Sequence, residues 1–247
     1  MKTRRRFGQH FLTDDNVIKE IVTRIRPRKG EKILEIGPGK GALSAGLLRA
    51  GAKLTAVEID RDLAAELHAQ FGDKIDLITG DILKQNLPQL VGENARVAGN
   101  LPYNISTPLL LQLCECKTRG MWLMVQEEVA ARICAPTGTA EYGRLTVSVR
   151  LFYQASYEIH VPPGAFAPPP KVDSAMIQLT PRIAPPMFSP LLPEITAAAF
   201  QSRRKMLDNG LSAFNINWRR AGIDPSRRPQ TISPDEFARL SLCAEQQ

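Results

Sequence analysis

The 247 residues carry a net charge of +7 and are 43% hydrophobic and 23% charged. That length accommodates one large domain or one domain with a small appendage, and the composition is ordinary for a globular protein. No run of about 18 apolar residues occurs, which argues against a membrane-spanning helix, and the basic N-terminus lacks the apolar stretch of a signal peptide. The four cysteines show no CxxC spacing, which favours reduced cytosolic thiols over a metal site or a disulfide framework. We therefore expect a cytoplasmic protein without a bound metal.

Strand and helix patterns alternate along the first two thirds of the chain. Strands are predicted at residues 32–37, 53–60, 74–82, 95–100 and 121–126, and two later ones at 157–162 and 172–179. Helices are predicted at residues 42–51, 61–71, 127–133 and 143–153. Repeated strand–helix units predict an α/β fold whose mostly parallel sheet has helices on both faces.

The pattern changes near Pro181. A proline-rich linker at 181–193 precedes a predicted helix at 195–211 and two short basic helices, the last of which begins at the N-cap-like Ser233. We therefore expect two domains, residues 1–181 with a basic N-terminal arm and a small α-helical domain at 182–247.

A glycine-rich turn, LEIGPGKGALS, follows the first predicted strand and contains Gly37, Gly39 and Gly41. Glycines there allow a sharp turn and a close approach of the backbone to a ligand. Glu58 ends the second strand about 20 residues on, where an acid accepts hydrogen bonds from ribose hydroxyls. A P-loop is excluded because Lys40 is followed by Gly41 and not by Ser or Thr. The turn by itself also suits NAD.

Two features favour S-adenosylmethionine over NAD. The spacing is GxGxG, preceded by Glu35, whereas dinucleotide folds prefer GxGxxG to receive a pyrophosphate. The third strand also ends at Asp81, which can accept a hydrogen bond from an adenine amino group. A sulfonium ligand has no phosphates, so its site needs acceptors rather than a helix N-terminus pointed at anions. The alternative is that Glu35, Glu58 and Asp81 are capping or surface residues.

The fourth predicted strand ends in NLPY, residues 100–103. With a methyl donor at the first three strand ends, this strand end lies beside the methyl group. The Asn100 side-chain oxygen and the Leu101 carbonyl could accept the two N–H groups of an adenine amine and aim its lone pair at the methyl. Pro102 would stiffen the turn, and Tyr103 would stack on the base. The alternative is a turn with a satisfied Asn and a core Tyr.

These motifs resemble those of the ribosomal RNA adenine N6-dimethyltransferases. Nine blocks recur in the same order over nearly the whole chain: RFGQHFL, LEIGPGKGAL, VEID, GDIL, GNLPYNISTPLL, VQEEVAARI, YGRL, VPPGAFAPPPKVDSA and AFQSRRKML. The resemblance implies a Rossmann-like S-adenosylmethionine-dependent methyltransferase domain followed by a helical domain. It also implies dimethylation of two adjacent adenosines in the 3′-terminal hairpin loop of small-subunit (16S) rRNA, within an assembling 30S-type particle. The donor would leave as S-adenosylhomocysteine, and we expect a monomer.

Carried over onto this chain, the resemblance and the glycine turn imply one donor site, formed by His10, Leu12, Gly37, Gly39, Glu58, Asp81 and Asn100. The family usually has Asn or His at position 10, so either a backbone or a side-chain contact is expected there. Phe166 in GAFAPPP resembles the family's aromatic residue opposite the tyrosine, which would give a flipped base two stacking faces. The alternative for Phe166 is a core residue in a proline-rich loop.

Positive charge is concentrated at the two ends of the chain. Residues 1–30 carry a net charge of +6 and residues 181–247 a net charge of +3, while the middle is close to neutral. Such ends suit a polyanion, because arginines neutralise phosphates. We predict phosphate contacts from two clusters, Arg4, Arg5 and Arg6, and Arg203, Arg204 and Lys205. The alternative for the second cluster is the solvated face of an amphipathic helix.

Three other functions compete with this interpretation. An assembly or transcription factor could keep the fold and lose catalysis, but the intact NLPY and the three acids argue against it. A large-subunit rRNA methyltransferase of the antibiotic-resistance (Erm) type is a related enzyme, but those typically have Ile at the second position of the tetrapeptide. A DNA adenine methyltransferase would need a target-recognition domain, for which the C-terminal helical region offers little room.

Overall fold

The computed structural model describes residues 9–246, so the predicted cluster of Arg4, Arg5 and Arg6 lies outside the described residues. The chain divides into two compact units. The first contains the residues up to Ala130 together with Ser156–Pro181, and the second contains Ala131–Ala155 and the residues from Arg182 onward. No helix within residues 9–246 is long and apolar enough to cross a membrane.

The first unit contains all the strands predicted for it and the predicted helices at 42–51, 61–71 and 127–133, but its other helices were not predicted. Its strands are β1 (Phe11–Leu12), β2 (Lys32–Ile36), β3 (Lys53–Glu58), β4 (Ile75–Thr79), β5 (Arg96–Asn100), β6 (Met121–Gln126), β7 (Tyr153–Val161), β8 (Phe166–Ala167) and β9 (Ser174–Pro181). Of these, β1 and β8 pair outside the main sheet, and β7 begins within the second unit. Its helices are α1 (Asp15–Ile25), α2 (Ala42–Arg49), α3 (Arg61–Phe71), α4 (Leu87–Val91), α5 (Ser106–Cys114) and α6 (Glu127–Cys134).

Seven strands form one sheet in the order β4-β3-β2-β5-β6-β9-β7. Strands β2 to β6 pair in parallel, and β9 runs antiparallel to β6. The prediction of a mostly parallel sheet is therefore confirmed. From β2 the chain moves first to one side of the sheet, through β3 and β4, and then to the other, through β5 and β6. In such sheets ligands bind where the order reverses, at the carboxyl ends of the strands.

Helix α1 packs through one apolar face. Its buried residues Ile18, Ile21 and Ile25 recur at helical spacing and share one core with Ile33 of β2 and Leu54 of β3. The helix begins at the N-cap Asp14, whose carboxylate accepts the N–H groups of the first turn. Because α1 follows closely after β1, its packing against the core fixes the position of β1.

Strands β2 and β5 approach each other closely at the point of reversal. A Cβ placed on Gly99 would overlap the backbone oxygen of Ile36, so only glycine fits there. The close approach brings the glycine turn after β2 and the NLPY segment after β5 to the same edge of the sheet.

The second unit is mainly helical. It contains α7 (Arg144–Arg150), α8 (Leu192–Gln201), α9 (Leu207–Gly210), α10 (Trp218–Ala221) and α11 (Pro234–Leu242), with β10 (Phe214–Ile216) and β11 (Ala244–Gln246) paired antiparallel. Helix α11 begins at Ser233, as predicted, in a capping box in which the Ser233 hydroxyl accepts the Glu236 N–H and the Glu236 carboxylate accepts the Ser233 N–H.

Residues 131–155 differ from the predicted domain division, which placed them in the first domain. Tyr142, Val147 and Leu151 are buried in one core with residues of α8 and α11. The Tyr142 hydroxyl also donates a hydrogen bond to the Ile232 carbonyl at 2.6 Å. This segment follows the strand–helix alternation without a break, so its local pattern does not indicate where it packs.

Two helix predictions are wrong in their extent. The predicted helix at 195–211 is broken between Gln201 and Leu207, because the N–H groups of Leu207 and Asp208 donate to backbone carbonyls of the 225–227 segment. The predicted helix at 143–153 ends at Arg150, and Tyr153 already begins β7. In both cases tertiary contacts override the local pattern.

Candidate active site

A cavity of about 330 Å³ lies at the carboxyl ends of β2, β3 and β5, within the first unit. The fold brings to it every residue predicted for the donor site and the whole tetrapeptide, namely His10, Leu12, Gly37, Gly39, Glu58, Asp81, Asn100, Leu101, Pro102 and Tyr103. These residues come from segments far apart in the chain, so their convergence is a property of the fold. Their individual roles remain predictions.

The glycine turn takes a backbone conformation that other residues rarely adopt. Gly37, Gly39 and Gly41 have φ values of +66°, +58° and +77°. A Cβ on Gly39 would lie 3.0 Å from the Phe11 ring, so this part of the turn is packed against β1. The Lys40 ammonium lies 5.1 Å from the centre of the same ring.

Glu58 holds the glycine turn in place. Its side chain is buried, and its two carboxylate oxygens accept the N–H groups of Gly39 at 3.1 Å and of Asp60 at 3.0 Å. Burial raises the pKa of Glu58 above its usual value. A carboxylate has about four acceptor positions, so each oxygen keeps capacity for a ligand hydroxyl.

The alternative interpretation, that the three acids are capping or surface residues, applies only to Asp81. Glu35 and Glu58 are buried, so neither is a surface residue. Asp81 does act as a cap, since its Oδ1 accepts the Leu83 N–H at 3.0 Å at the start of a short 3-10 turn. Its second carboxylate oxygen is still available as an acceptor at the cavity wall.

Glu35 lies in the middle of the sheet, between β3 and β5, and also reaches the cavity. The Ser44 hydroxyl donates a hydrogen bond to its Oε2 at 2.7 Å. Burial raises the pKa of Glu35 to about 7, and the nearby Glu58 adds to the effect. Near neutral pH this carboxyl group therefore retains its proton far more readily than an exposed glutamate does.

We expect the pH dependence of stability to change when Glu35 is replaced by Gln. The ordinary pKa of a glutamate is 4.5, and that of Glu35 in the folded protein is about 7. Between these pH values the folded protein retains a proton on Glu35 that the unfolded chain has lost. The free energy of unfolding therefore falls as pH rises through this window. The wild-type free energy of unfolding, relative to Glu35→Gln, should fall by roughly 3 kcal/mol across the window. Urea unfolding at about pH 5 and about pH 8 measures it. A constant difference between the two proteins would contradict the assignment.

Asn100 is oriented by the segment that precedes β1. Its Nδ2 donates a hydrogen bond to the His10 carbonyl at 3.0 Å, which leaves Oδ1 as the acceptor end of the amide. The next residue, Leu101, is buried and donates its N–H to the Met124 carbonyl at 3.0 Å. The tetrapeptide is thus held at both its first and its second residue.

Tyr103 lies on the cavity wall and is only half buried, so it is not a core tyrosine. Its hydroxyl makes a 2.6 Å hydrogen bond with the Ser174 hydroxyl, and its ring stacks on His10 at a centroid distance of 5.9 Å and an angle of 26°. The His10 Nδ1 donates to the Pro168 carbonyl at 2.8 Å. Burial raises the pKa of the Tyr103 hydroxyl, which therefore stays neutral.

Phe166 does not line the cavity. Its side chain is 3% exposed and belongs to the core of the first unit, and its backbone pairs with Leu12 in the short β1–β8 ribbon. The packing supports the alternative interpretation, a core residue in a proline-rich loop. The ring that the structure does place beside Tyr103 is the imidazole of His10.

In the second unit, Arg204, Lys205 and Arg228 line one groove together with Asn209 and Ser226. The three cations are exposed, and among residues 9–246 none of them is paired with a carboxylate. Arg203, predicted as part of the same cluster, is instead half buried and donates to the Thr139 carbonyl at 2.9 Å. The interpretation of residues 203–205 as a helix face is wrong, because they lie in the break between α8 and α9.

The parallel sheet, the crevice at its point of reversal and the glycine turn held by Glu58 define a Rossmann-like S-adenosylmethionine-dependent methyltransferase. The fold is shared with a dimethyladenosine transferase from Plasmodium falciparum (TM-score 0.78, 23% identity, 94% of this chain and 96% of that one). It is also shared with the 23S rRNA methyltransferase ErmE (TM-score 0.75, 25% identity, 94% and 98%).

Sequence comparison identifies the family. The profile of the family described as "Ribosomal RNA adenine dimethylase" matches residues 1–245. The "Ribosomal RNA small subunit methyltransferase A" of Pseudomonas aeruginosa is 44% identical, over 97% of this chain and 94% of that protein. The chain belongs to the ribosomal RNA adenine dimethylase family, and the resemblance inferred from the nine blocks is confirmed.

Proposed function

We propose that the protein transfers methyl groups from S-adenosylmethionine to N6 of two adjacent adenosines in the 3′-terminal hairpin loop of small-subunit (16S) rRNA. It would act as a monomer on an assembling 30S-type particle. The observation that carries the proposal is the Asn100 amide, whose nitrogen is tied to the His10 carbonyl while its oxygen remains an acceptor at the cavity wall. The name of the P. aeruginosa relative supports the choice of the small subunit.

The residues around the cavity fit S-adenosylmethionine. Glu58 offers acceptors for ribose hydroxyls, and Asp81 offers one for an adenine amino group. Gly37 and Gly39 line the cavity with positive φ angles, so the turn presents its backbone rather than side chains to a ligand. When bound, the donor supplies an electrophilic methyl group on a positively charged sulfur. An acidic wall that includes Glu35 suits that charge, and a cation in the cavity would favour the ionised form of Glu35.

The tetrapeptide would bind the acceptor base. The exocyclic amine of adenine is a poor nucleophile, because its lone pair is delocalised into the ring. The Asn100 Oδ1 and the Leu101 carbonyl accept its two N–H groups, which draws the nitrogen toward tetrahedral geometry and directs its lone pair into the cavity. Tyr103 stacks on the base, and Pro102 stiffens the turn between them. Most of the rate then comes from positioning.

No general base is needed before methyl transfer. The amine proton becomes acidic only once the nitrogen carries the additional methyl group, so it can leave afterwards to solvent. This agrees with an acceptor site built from an amide and a carbonyl oxygen rather than from a carboxylate or an imidazole base. Positioning of the base by Asn100, Leu101 and Tyr103 is therefore the main contribution of this chain.

The groove on the second unit would hold RNA phosphates. Arg204, Lys205 and Arg228 supply three exposed cations, and Asn209 and Ser226 add neutral donors. Arg203 would contribute less, because its guanidinium already donates to the Thr139 carbonyl. The predicted contacts of Arg4, Arg5 and Arg6 remain part of the proposal.

Replacing Arg204 and Lys205 together by Ala should weaken rRNA binding and reduce its salt dependence. The slope of log Kd against log salt should fall by about 1 for each lost phosphate contact. Filter binding at several salt concentrations measures the slope. The matched control is Arg219→Ala with Arg220→Ala, which removes two exposed charges of the same unit outside the groove. Equal effects of the two double variants would show that net charge matters and the groove does not.

The choice of subunit is tested by competition between RNAs. Protein, labelled S-adenosylmethionine, immature small-subunit particles and large-subunit rRNA are incubated together, and label is counted in each RNA. We expect label in the small-subunit RNA. Label in the large-subunit RNA alone would place the protein with enzymes such as the 23S rRNA methyltransferase ErmE, whose fold it shares.

A further inference from the structure

We propose that Ser174 is a positioning residue for the acceptor base. It fixes the Tyr103 ring on which the base stacks, and it does not touch the base itself. The inference rests on the proposed function in one respect, namely that the target base stacks on Tyr103. Its structural basis is the 2.6 Å hydrogen bond between the two hydroxyls, which joins residues 71 positions apart.

Ser174 is itself rigidly held. It is the first residue of β9, is fully buried and is paired in register with Gln126 at the end of β6. The residue before it, Asp173, accepts the N–H of Glu127 through its backbone carbonyl at 3.0 Å. Its hydroxyl therefore presents a fixed partner to any group that reaches it.

Tyr103, by contrast, lies in a turn without regular secondary structure. Its carbonyl accepts the Ser106 hydroxyl at 3.1 Å, which restrains the backbone but not the side chain. The ring is restrained on one face by His10 and at its tip by Ser174. Because Ser174 is not among the residues of the cavity wall, its effect on a bound base must pass through Tyr103.

This arrangement presets the plane on which a base would stack. The hydrogen bond at the hydroxyl keeps the Tyr103 ring from swinging about χ1, and the His10 imidazole stacked on one face limits its rotation about χ2. The base therefore meets an ordered ring, and the amine arrives at Asn100 with less positional freedom. Without the bond, the Tyr103 ring keeps its stacking surface but can tilt. The loss should then appear in turnover and in base stacking, and not in binding of the donor.

A double-mutant cycle tests the inference. Ser174→Ala and Tyr103→Phe each remove one hydroxyl, and each should lower kcat roughly fivefold, as expected for one lost hydrogen bond. The double variant should be no worse than either single variant, because both act through the same bond. Affinity for S-adenosylhomocysteine should remain unchanged in all three. Ser241→Ala, which removes a buried serine hydroxyl in the second unit, is the control for general loss of stability.

Base stacking is followed in the same proteins with an rRNA hairpin that carries 2-aminopurine at one target position. Stacking on Tyr103 quenches the fluorescence of the flipped base, so quenching should be weaker in Ser174→Ala and Tyr103→Phe than in wild type. Additive losses of kcat in the double variant, or wild-type kcat and quenching in Tyr103→Phe, would overturn the inference even if Ser174→Ala failed to fold. A wild-type protein that methylates no adenosine would instead overturn the proposed function, and this inference with it.

Discussion

Replacing Asn100 by Ala is expected to reduce turnover by about two orders of magnitude, while affinity for S-adenosylhomocysteine changes much less. The substitution removes one of the two acceptors for the adenine amine, and loss of one preorganised hydrogen-bonding group at a reacting atom costs on the order of 3 kcal/mol of transition-state stabilisation. It also releases the His10 carbonyl, whose partner is the Asn100 amide. Single-turnover methylation with saturating RNA and donor gives the rate, and calorimetry with S-adenosylhomocysteine gives the affinity.

The control is Asn94→Ala, which removes an exposed amide in the loop that leads into the same strand. It should keep wild-type turnover. If Asn100→Ala retained turnover within about threefold of wild type, Asn100 would not hold the acceptor amine, and the assignment of the tetrapeptide would have to be abandoned.

Replacing Glu58 by Ala is expected to weaken binding of S-adenosylhomocysteine by about 100-fold. The carboxylate accepts the backbone N–H of Gly39 at 3.1 Å, so its loss frees the glycine turn in addition to removing the acceptors proposed for the ribose. Hydrogen bonds to a charged group contribute about 1.5–3 kcal/mol each, which makes the expected loss large. Calorimetry measures the dissociation constant, and thermal unfolding reports any loss of fold.

Glu66→Ala is the matched control, since Glu66 is an exposed carboxylate on the neighbouring α3. Wild-type affinity in Glu58→Ala would show that neither a ligand contact of Glu58 nor its support of the glycine turn contributes to binding. A variant with Gln at position 58 separates charge from shape, because Gln keeps one oxygen acceptor and should bind with intermediate affinity.

The local sequence pattern was sufficient to predict the site residues that directly follow a strand of the parallel sheet. The glycine turn follows β2 directly, and Glu58 and Asp81 follow the next two strands, so strand prediction alone places them at one edge of a parallel sheet. Asn100 follows by the same rule. His10 and Leu12 could be proposed only through the family resemblance, since no local pattern indicates that a short strand returns to the cavity.

The contacts that orient these residues depend on tertiary structure. Ser174 meets Tyr103 only because β9 inserts beside β6, and nothing in the sequence near either residue indicates this pairing. The same holds for Arg203, which bonds to the Thr139 carbonyl while the next residue, Arg204, is exposed. Helix α1 was not predicted, although the sequence contains its signals. Asp14 is typical of an N-cap, and the spacing of Ile18, Ile21 and Ile25 is typical of an apolar helix face.

We expect the enzyme to methylate the same adenine nitrogen twice beside Asn100. After the first transfer only one N–H remains for Asn100 or the Leu101 carbonyl, so the pocket must accept a monomethylated amine and still direct its lone pair into the cavity. The most direct measurement is mass spectrometry of nucleosides and of mapped fragments from small-subunit RNA, after reaction with excess S-adenosylmethionine. We expect N6,N6-dimethyladenosine at two neighbouring positions, whereas a reaction that stops at N6-methyladenosine, or that modifies a single position, would contradict dimethylation of two adjacent adenosines.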